Sequence, residues 1–173
     1  MELEILYAIQ GLHRDWLNPI MILLSTIGEG GMCWIAASLV LVCIPRTRRC
    51  GLTMMASMAL TYLLGNILLK NLIARPRPCE IDTSVVLLVP FPSEYSFPSG
   101  HTSNGFSAAV TIFGYHRKSG VAALLLAATI AFSRMYLFVH YPTDILGGII
   151  LGTLDACLIM YAARRLKKTE KEA

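Results

Sequence analysis

Long apolar runs with almost no charged residues constrain this chain more than any other feature. Of its 173 residues 55% are hydrophobic and only 15% are charged, whereas a typical soluble domain has about 25% charged residues. A helix that crosses a bilayer needs about 20 mostly apolar residues. The runs are too many and too long for a soluble core of this size, so the sequence predicts an all-α integral membrane protein.

Six apolar runs are candidates for membrane-spanning helices. They lie at residues 16–27, 30–44, 51–69, 98–115, 119–132 and 145–163, and the first is the shortest and weakest. Residues 1–10 hold two Glu among apolar residues, which favours an interfacial helix, and they lack the basic start and cleavage site of a signal peptide. We therefore expect one domain over residues 1–173, with six transmembrane helices in one bundle and a short N-terminal interfacial helix.

The distribution of Lys and Arg predicts the orientation. Ten of the 15 cationic residues follow the second, fourth and sixth runs: Arg46, Arg48, Arg49, Arg117, Lys118, Arg164, Arg165, Lys167, Lys168 and Lys171. Six crossings would place them, both termini and Arg14 on one face, which the positive-inside rule makes cytoplasmic. Lys70, Arg75, Arg77 and Arg134 remain for the extracytoplasmic face of the plasma or inner membrane. A bound anion there would explain cations that topology disfavours.

Three short polar blocks lie at the ends of these runs, all on the predicted outer face. They are Lys70-x6-Arg77-Pro78, Pro98-Ser99-Gly100-His101 and Ser133-Arg134-x5-His140-x3-Asp144. A shared depth allows the blocks to converge. They bring together the residue types that bind phosphate and those that perform acid–base and nucleophilic catalysis.

The phosphate-binding residues have distinct chemistry. Lys70 supplies a point charge, whereas Arg77 and Arg134 supply planar donor forks that match phosphate oxygens. Ser99 and Gly100 begin a helix, where free backbone N–H groups and the helix dipole favour an anion. These residues predict a site for a phosphate group at the membrane surface.

Two histidines and a carboxylate predict catalysis in addition to binding. His101 and His140 allow one nucleophile and one acid, and Asp144 can orient one imidazole and stabilise its positive charge. Outer-face carboxylates are few and no Cys/His ligand spacing occurs, so we expect neither a metal ion nor another cofactor.

Together, the three blocks resemble the signature of the type 2 phosphatidic acid phosphatases, which are relatives of the vanadium haloperoxidases. The match covers a core of about residues 70–152 and is similar to small bacterial members that act as undecaprenyl diphosphatases. Any one block alone would be weak, but their joint order and spacing are specific. The resemblance implies a metal-independent lipid phosphatase or diphosphatase.

The resemblance also implies a role for each residue. His140 would attack the phosphorus and form a phosphohistidine, while Asp144 holds its imidazole. His101 would protonate the leaving oxygen and then activate water. The phosphoryl oxygens would be held by Lys70, Arg77, Ser99, Gly100 and Arg134.

Several functions remain open at this point. By analogy a polyprenyl diphosphate such as undecaprenyl diphosphate is the first choice of substrate, with phosphatidylglycerol phosphate, phosphatidic acid and lipid A 1-phosphate as alternatives. A phosphotransferase between lipids would use the same intermediate. A lipid-phosphate transporter or binding protein would need the cations, but not His101, His140 and Asp144. The expected partners are a lipid phosphate and the bilayer, not nucleic acid, and the oligomeric state is open.

Four further features lie outside the signature. We expect Arg75 to be a membrane anchor or headgroup contact, and Asp155 to make a structural hydrogen bond rather than transfer protons. A disulfide between Cys33 and Cys79 is possible but not expected. Residues 80–97 form an outer loop that would guide lipid tails or act as a structural lid.

Overall fold

Helices form all the regular structure that the computed structural model describes. It covers residues 1–172, with the backbone alone at positions 167, 168 and 170–172. Within residues 1–172 there is no β-strand. The α-helices are α1 (Glu2–Gln10), α2 (Asn18–Gly28), α3 (Met32–Cys43), α4 (Arg48–Thr61), α5 (Lys70–Ile73), α6 (Pro78–Ile81), α7 (Gly100–Tyr115), α8 (Arg117–Tyr136) and α9 (Pro142–Glu172). A 3₁₀ turn, Glu29–Gly31, joins α2 to α3, and a π-helical segment, Tyr62–Leu69, joins α4 to α5.

Four helical stretches of the described chain are long and apolar enough to cross a membrane. They are Asn18–Cys43, Arg48–Ile81, Arg117–Tyr136 and Pro142–Leu166. The 16 residues of α7 form a further helix that packs between α8 and α9. The predicted class, an all-α integral membrane protein, is confirmed.

The predicted count of six spanning helices is not confirmed. With 11 and 12 residues, α2 and α3 each cover only about 16–18 Å, roughly half of a bilayer core. Gly30 and Gly31 have φ values of +58° and +71°, a conformation that glycine adopts without steric cost. They bend one continuous path of 26 residues. The structure therefore has one candidate span where the sequence predicted two.

The neighbours of this path on α8 show that it does not turn back. Asn18 accepts a hydrogen bond from the hydroxyl of Tyr136 at 2.6 Å, at the end of α8. Gly28 lies against Ile130, nearly two turns earlier in α8. This first half of the path thus runs antiparallel to α8. The second half, α3, continues in the same direction, since Gly31 lies beside Met58 and Val42 lies beside Gly51, nearly two turns earlier in α4.

Two prolines stop the long helix that α4 and α5 form. Pro76 and Pro78 disfavour helical backbone at the residues before them. Ala74 ends α5 in the left-handed region with φ 47°, and Arg77 is extended. This sequence places Lys70 in the last turn of the helix and Arg77 just beyond it.

Small residues hold α7 tightly against its neighbours. A Cβ on Gly152 of α9 would lie 2.2 Å from the carbonyl oxygen of Ser103, so only glycine allows this contact. Ala108 and Ala109 of α7 are fully buried. At the top of the pair, the amide of Ser99 donates to the carbonyl of Asp144 at 3.2 Å. Close packing therefore brings the second and third polar blocks together.

The N-terminal helix α1 lies at the same end of the bundle as these blocks. The carboxylate of Glu2 accepts hydrogen bonds from Thr143 Oγ1 at 2.6 Å and from Arg75 at 2.5 Å. From there α9 runs for 31 residues, about 46 Å, to the opposite end. The N-terminal helix thus lies at the same end of the bundle as the polar blocks, whereas the sequence predicts the N-terminus at the opposite end.

Candidate active site

Six of the eight predicted site residues line one cavity of about 640 Å³, at the end of the bundle where the polar blocks lie. The six are Lys70, Arg77, Gly100, His101, Arg134 and His140. The other two, Ser99 and Asp144, are fully buried behind the cavity wall. Residues more than 60 positions apart in sequence thus converge as the three blocks predicted.

The three cationic side chains are all buried. Arg77 donates through Nε to the carbonyl of Glu94 at 2.6 Å and through Nη1 to that of Val139 at 2.9 Å. Arg134 donates to the hydroxyl of Ser25, and its buried Nε has no partner among the described residues. Because neutral carbonyls and hydroxyls offset little of the charge on Arg77 and Arg134, the cavity favours an anion.

Ser99 and Gly100 contribute in different ways. The Ser99 hydroxyl accepts a hydrogen bond from Thr102 Oγ1 at 3.0 Å, and Ser99 does not line the cavity. Gly100 lines the cavity, and a Cβ there would lie 3.1 Å from Asn66 Oδ1. A side chain at position 100 would therefore crowd Asn66, a cavity residue that sequence reasoning missed.

His140 lies between a cation and a carboxylate. Arg77 Nη1 is 3.2 Å from Nε2 of His140, and since a guanidinium only donates, Nε2 must carry the lone pair. The other ring nitrogen, Nδ1, lies 3.5 Å from Asp144 Oδ2. Asp144 Oδ2 also accepts from Ser96 Oγ at 2.5 Å and from the amide of Tyr141 at 2.8 Å. This arrangement orients a neutral imidazole with its lone pair towards the cavity.

Burial sets the charge state of His140. The side chain is 2% exposed, and desolvation lowers its pKa to about 3, although the nearby Asp144 acts in the opposite direction. The ring is therefore neutral near pH 7, as a nucleophile requires.

His101 occupies the first turn of α7 and also lines the cavity. Its Nε2 lies 3.2 Å from the carbonyl of Ser25, to which it donates. This contact across the bundle fixes the ring plane and leaves Nδ1 as the second titrating nitrogen. His101 is thus held at the cavity, and among the described residues it has no carboxylate partner.

Glu94 is a cavity residue that sequence reasoning missed. Its carboxylate forms an ion pair with Lys70, and this hydrogen bond lowers the pKa of Glu94 below its ordinary value. The side chain is 62% exposed and lies on the loop before α7. A phosphate that binds Lys70 has to share or displace this carboxylate.

Two residues that are not among the eight predicted site residues have definite places. Arg75, expected to be an anchor or a headgroup contact, donates to Asp144 Oδ1 at 2.7 Å. Asp155 is buried deeper in the bundle, where it accepts from Thr61 Oγ1 at 2.8 Å, which matches the structural hydrogen bond predicted. All five cysteines are free, including Cys33 and Cys79.

Comparison with known proteins decides the family. The sequence model of the PAP2 superfamily matches residues 51–168, which is more than half of the chain and includes every block. The chain belongs to the PAP2 superfamily. It is a phosphatase enzyme, as the resemblance of its motifs implied.

Individual relatives agree with this assignment. An undecaprenyl-diphosphatase from Sulfolobus acidocaldarius is 33% identical over 79% of this chain and 66% of its own length. A bacitracin transport permease protein, BcrC, from Bacillus licheniformis is 32% identical over 90% of this chain and 76% of its own. The crystal structure of a PAP2-type phosphatidylglycerolphosphate phosphatase from Bacillus subtilis superposes with a TM-score of 0.75 and 28% identity, over 94% of this chain and 84% of that one.

Proposed function

We propose that the protein hydrolyses a polyprenyl diphosphate, of which undecaprenyl diphosphate is the reference compound, at the extracytoplasmic face of the membrane. The convergence of three buried cations and two histidines in one cavity carries the proposal. The similarity to an undecaprenyl-diphosphatase selects the substrate class.

An apolar groove beside the cavity supports a lipid substrate. This groove of about 370 Å³ lies between α3 and α4 and is lined by residues such as Ile35, Met55 and Met58. It shares Gly30, Tyr62 and Asn104 with the cavity. A lipid whose phosphate lies in the cavity can extend its first carbons along the groove, which favours a membrane substrate over a soluble ester.

The proposed chemistry has two displacements at phosphorus. His140 Nε2 attacks the terminal phosphorus, and the bond to the bridging oxygen breaks as His101 donates a proton to the leaving polyprenyl phosphate. Water then gives a proton to His101 and attacks the phosphohistidine, which releases inorganic phosphate and restores His140. Lys70, Arg77 and Arg134 stabilise the equatorial oxygens, where charge stabilisation lowers the barrier most.

The helix order supports a topology of five crossings. Asn18–Cys43, the helix from Arg48, α7, α8 and α9 would cross in turn. The cavity and the interfacial helix α1 would then face outwards, and the basic C-terminal region would face the cytoplasm. Residues 1–173 would form one domain, with 70–152 as its catalytic core. A C-terminal reporter that works only outside the cytoplasm should be silent, and the same reporter at the N-terminus should be active.

Other substrates fit the same cavity. Phosphatidylglycerol phosphate is favoured by the fold of the Bacillus subtilis phosphatase, and phosphatidic acid, lipid A 1-phosphate and transfer to a second lipid use the same chemistry. Transport, suggested by the name of the BcrC relative, does not need His140 beside Asp144.

Phosphate release from a panel of these lipids, with EDTA present, tests the proposal. We expect the highest kcat/KM with the polyprenyl diphosphate, retained activity in EDTA and inhibition by vanadate. Preference for a phospholipid would reassign the substrate, whereas loss of activity on chelation, restored by Mg²⁺, would contradict the mechanism.

A further inference from the structure

Asp144 has two carboxylate oxygens, and only one of them faces His140. Oδ2 accepts from Ser96 and the amide of Tyr141 and lies beside the His140 ring. Oδ1 accepts from Arg75 Nη1 at 2.7 Å. We propose that Arg75, held by Glu2 of the N-terminal helix, is a positioning residue that fixes Asp144 against His140.

Arg75 is anchored on several sides. Besides Asp144, its Nη1 donates to Thr143 Oγ1 at 2.6 Å, and its Nη2 donates to Glu2 at 2.5 Å. The guanidinium also lies 3.9 Å from the centre of the Tyr141 ring, a cation–π contact. With the guanidinium plane fixed by these contacts, the carboxylate of Asp144 has little freedom to rotate.

Glu2 extends this network to α1. Its carboxylate accepts from Arg75 and from both the amide and the hydroxyl of Thr143, at 3.1 and 2.6 Å. Thr143 directly precedes Asp144 at the start of α9. The first turn of α1 thus clamps the start of α9 and the guanidinium of Arg75 in one geometry.

The ion pair with Arg75 balances the buried negative charge of Asp144. Asp144 is fully buried, and a buried carboxylate needs a cation or several donors to remain ionised. The charged and titratable groups around it are Arg75 and Arg77 from the segment after α5, His140 and Tyr141 before α9, and Glu2 from α1. Arg77 donates to His140 and faces the cavity, so Arg75 is the cation that pairs with Asp144 directly.

The same block therefore supplies two arginines with different tasks. Arg77 faces the cavity and is available to substrate, whereas Arg75 is absent from the cavity lining. The proposal rests on the proposed role of Asp144 in orienting the nucleophile His140, and its test separates the two.

The test is a double-mutant cycle between Arg75→Ala and Asp144→Asn, with kcat and KM measured across pH on one lipid phosphate. We expect Arg75→Ala to lower kcat by roughly 10²-fold with KM little changed, because a misplaced catalytic group costs about that much. The acidic limb of the pH profile of kcat should move to higher pH in Arg75→Ala, since Asp144 without its cation is protonated more easily. Arg75→Lys should restore part of kcat, and Glu2→Gln should give a smaller loss.

Matched controls and the second background make the outcome decisive. Arg14→Ala and Glu4→Gln remove like charges at the same end of the bundle that contact neither Arg75 nor Asp144 and should behave as wild type. In the Asp144→Asn background, Arg75→Ala should add no further loss. Full additivity of the two losses, a rise in KM alone, or a fall in thermal stability with unchanged kcat and pH profile would each overturn the positioning role. Unchanged activity of Asp144→Asn itself would contradict the proposed mechanism instead.

Discussion

Two carboxylates on α9 lie 11 residues apart and are both buried, yet their surroundings differ completely. Asp144 accepts from Ser96, from a backbone amide and from Arg75, and it borders a histidine. Asp155 accepts one hydrogen bond, from Thr61, among the described residues. A buried acid is therefore not a catalytic group by virtue of burial alone. Its partners decide whether it positions a nucleophile or joins two helices.

The largest expected effect separates these two carboxylates. Asp144→Asn should lower kcat by about 10⁴-fold, because an amide cannot stabilise the positive charge that develops on the attacking imidazole. The measurement is phosphate release by purified protein whose thermal unfolding matches wild type. Turnover close to wild type would remove the distinction between the two positions.

The second prediction concerns the protonation state of His140, the histidine beside Asp144. Burial lowers the pKa of His140 to about 3, so its ring should stay neutral as the pH falls through 6.5, where a free histidine gains its proton. The measurement is an NMR titration of labelled histidines in micelles, with the His140 signal assigned by its loss in His140→Ala. A His140 ring that becomes protonated near pH 6.5 would show that the site is far more hydrated than the structure indicates.

A more moderate effect is expected at Glu94, the carboxylate that already pairs with Lys70. Glu94→Gln should lower KM a few-fold with kcat nearly constant, because the phosphate no longer competes with a carboxylate for Lys70. The control is Asp82→Asn, an acid of the same loop that bonds to Tyr7 and Ser84 instead. A higher KM would show that Glu94 helps to bind substrate.

The smallest effect is expected deep in the bundle. Asp155→Asn can still accept a hydrogen bond from Thr61, so kcat should change little, and the free energy of unfolding should fall by about 1 kcal/mol. Thermal unfolding and phosphate release on the same preparation test this. A loss of turnover as large as that of Asp144→Asn would place Asp155 in the proton path.

The sequence predicted the convergence of the polar blocks better than the path of the chain. Hydropathy and spacing place the motif residues at one depth, which allows them to converge, and the packing of α7 against α8 and α9 then brings the helix ends together. Ser96, Glu94 and Glu2 were missed because each acts on a residue at least 24 positions away, and nothing local marks such a contact. Arg75 and Asp144 were both noted in the sequence, but the ion pair between them was not predicted.

The first apolar region shows the limit of hydropathy. The sequence predicts two spans here because it has two apolar runs, at residues 16–27 and 30–44, with Glu29 between them. The backbone instead bends and continues in the same direction, because α2 packs against α8 and α3 packs against α4. The predicted count of six spans places the N-terminus opposite the polar blocks, whereas Glu2 contacts Thr143 beside them.

The central claim is that His140 carries the phosphoryl group and His101 transfers protons. Rapid-quench labelling with a ³²P-labelled aryl phosphate tests it, because a good leaving group needs little acid in the first step. We predict that His101→Ala accumulates an acid-labile label on the protein while its turnover stalls, and that His140→Ala shows neither label nor turnover. Label trapped on the His140 variant, with none on the His101 variant, would contradict the account by reversing the two roles.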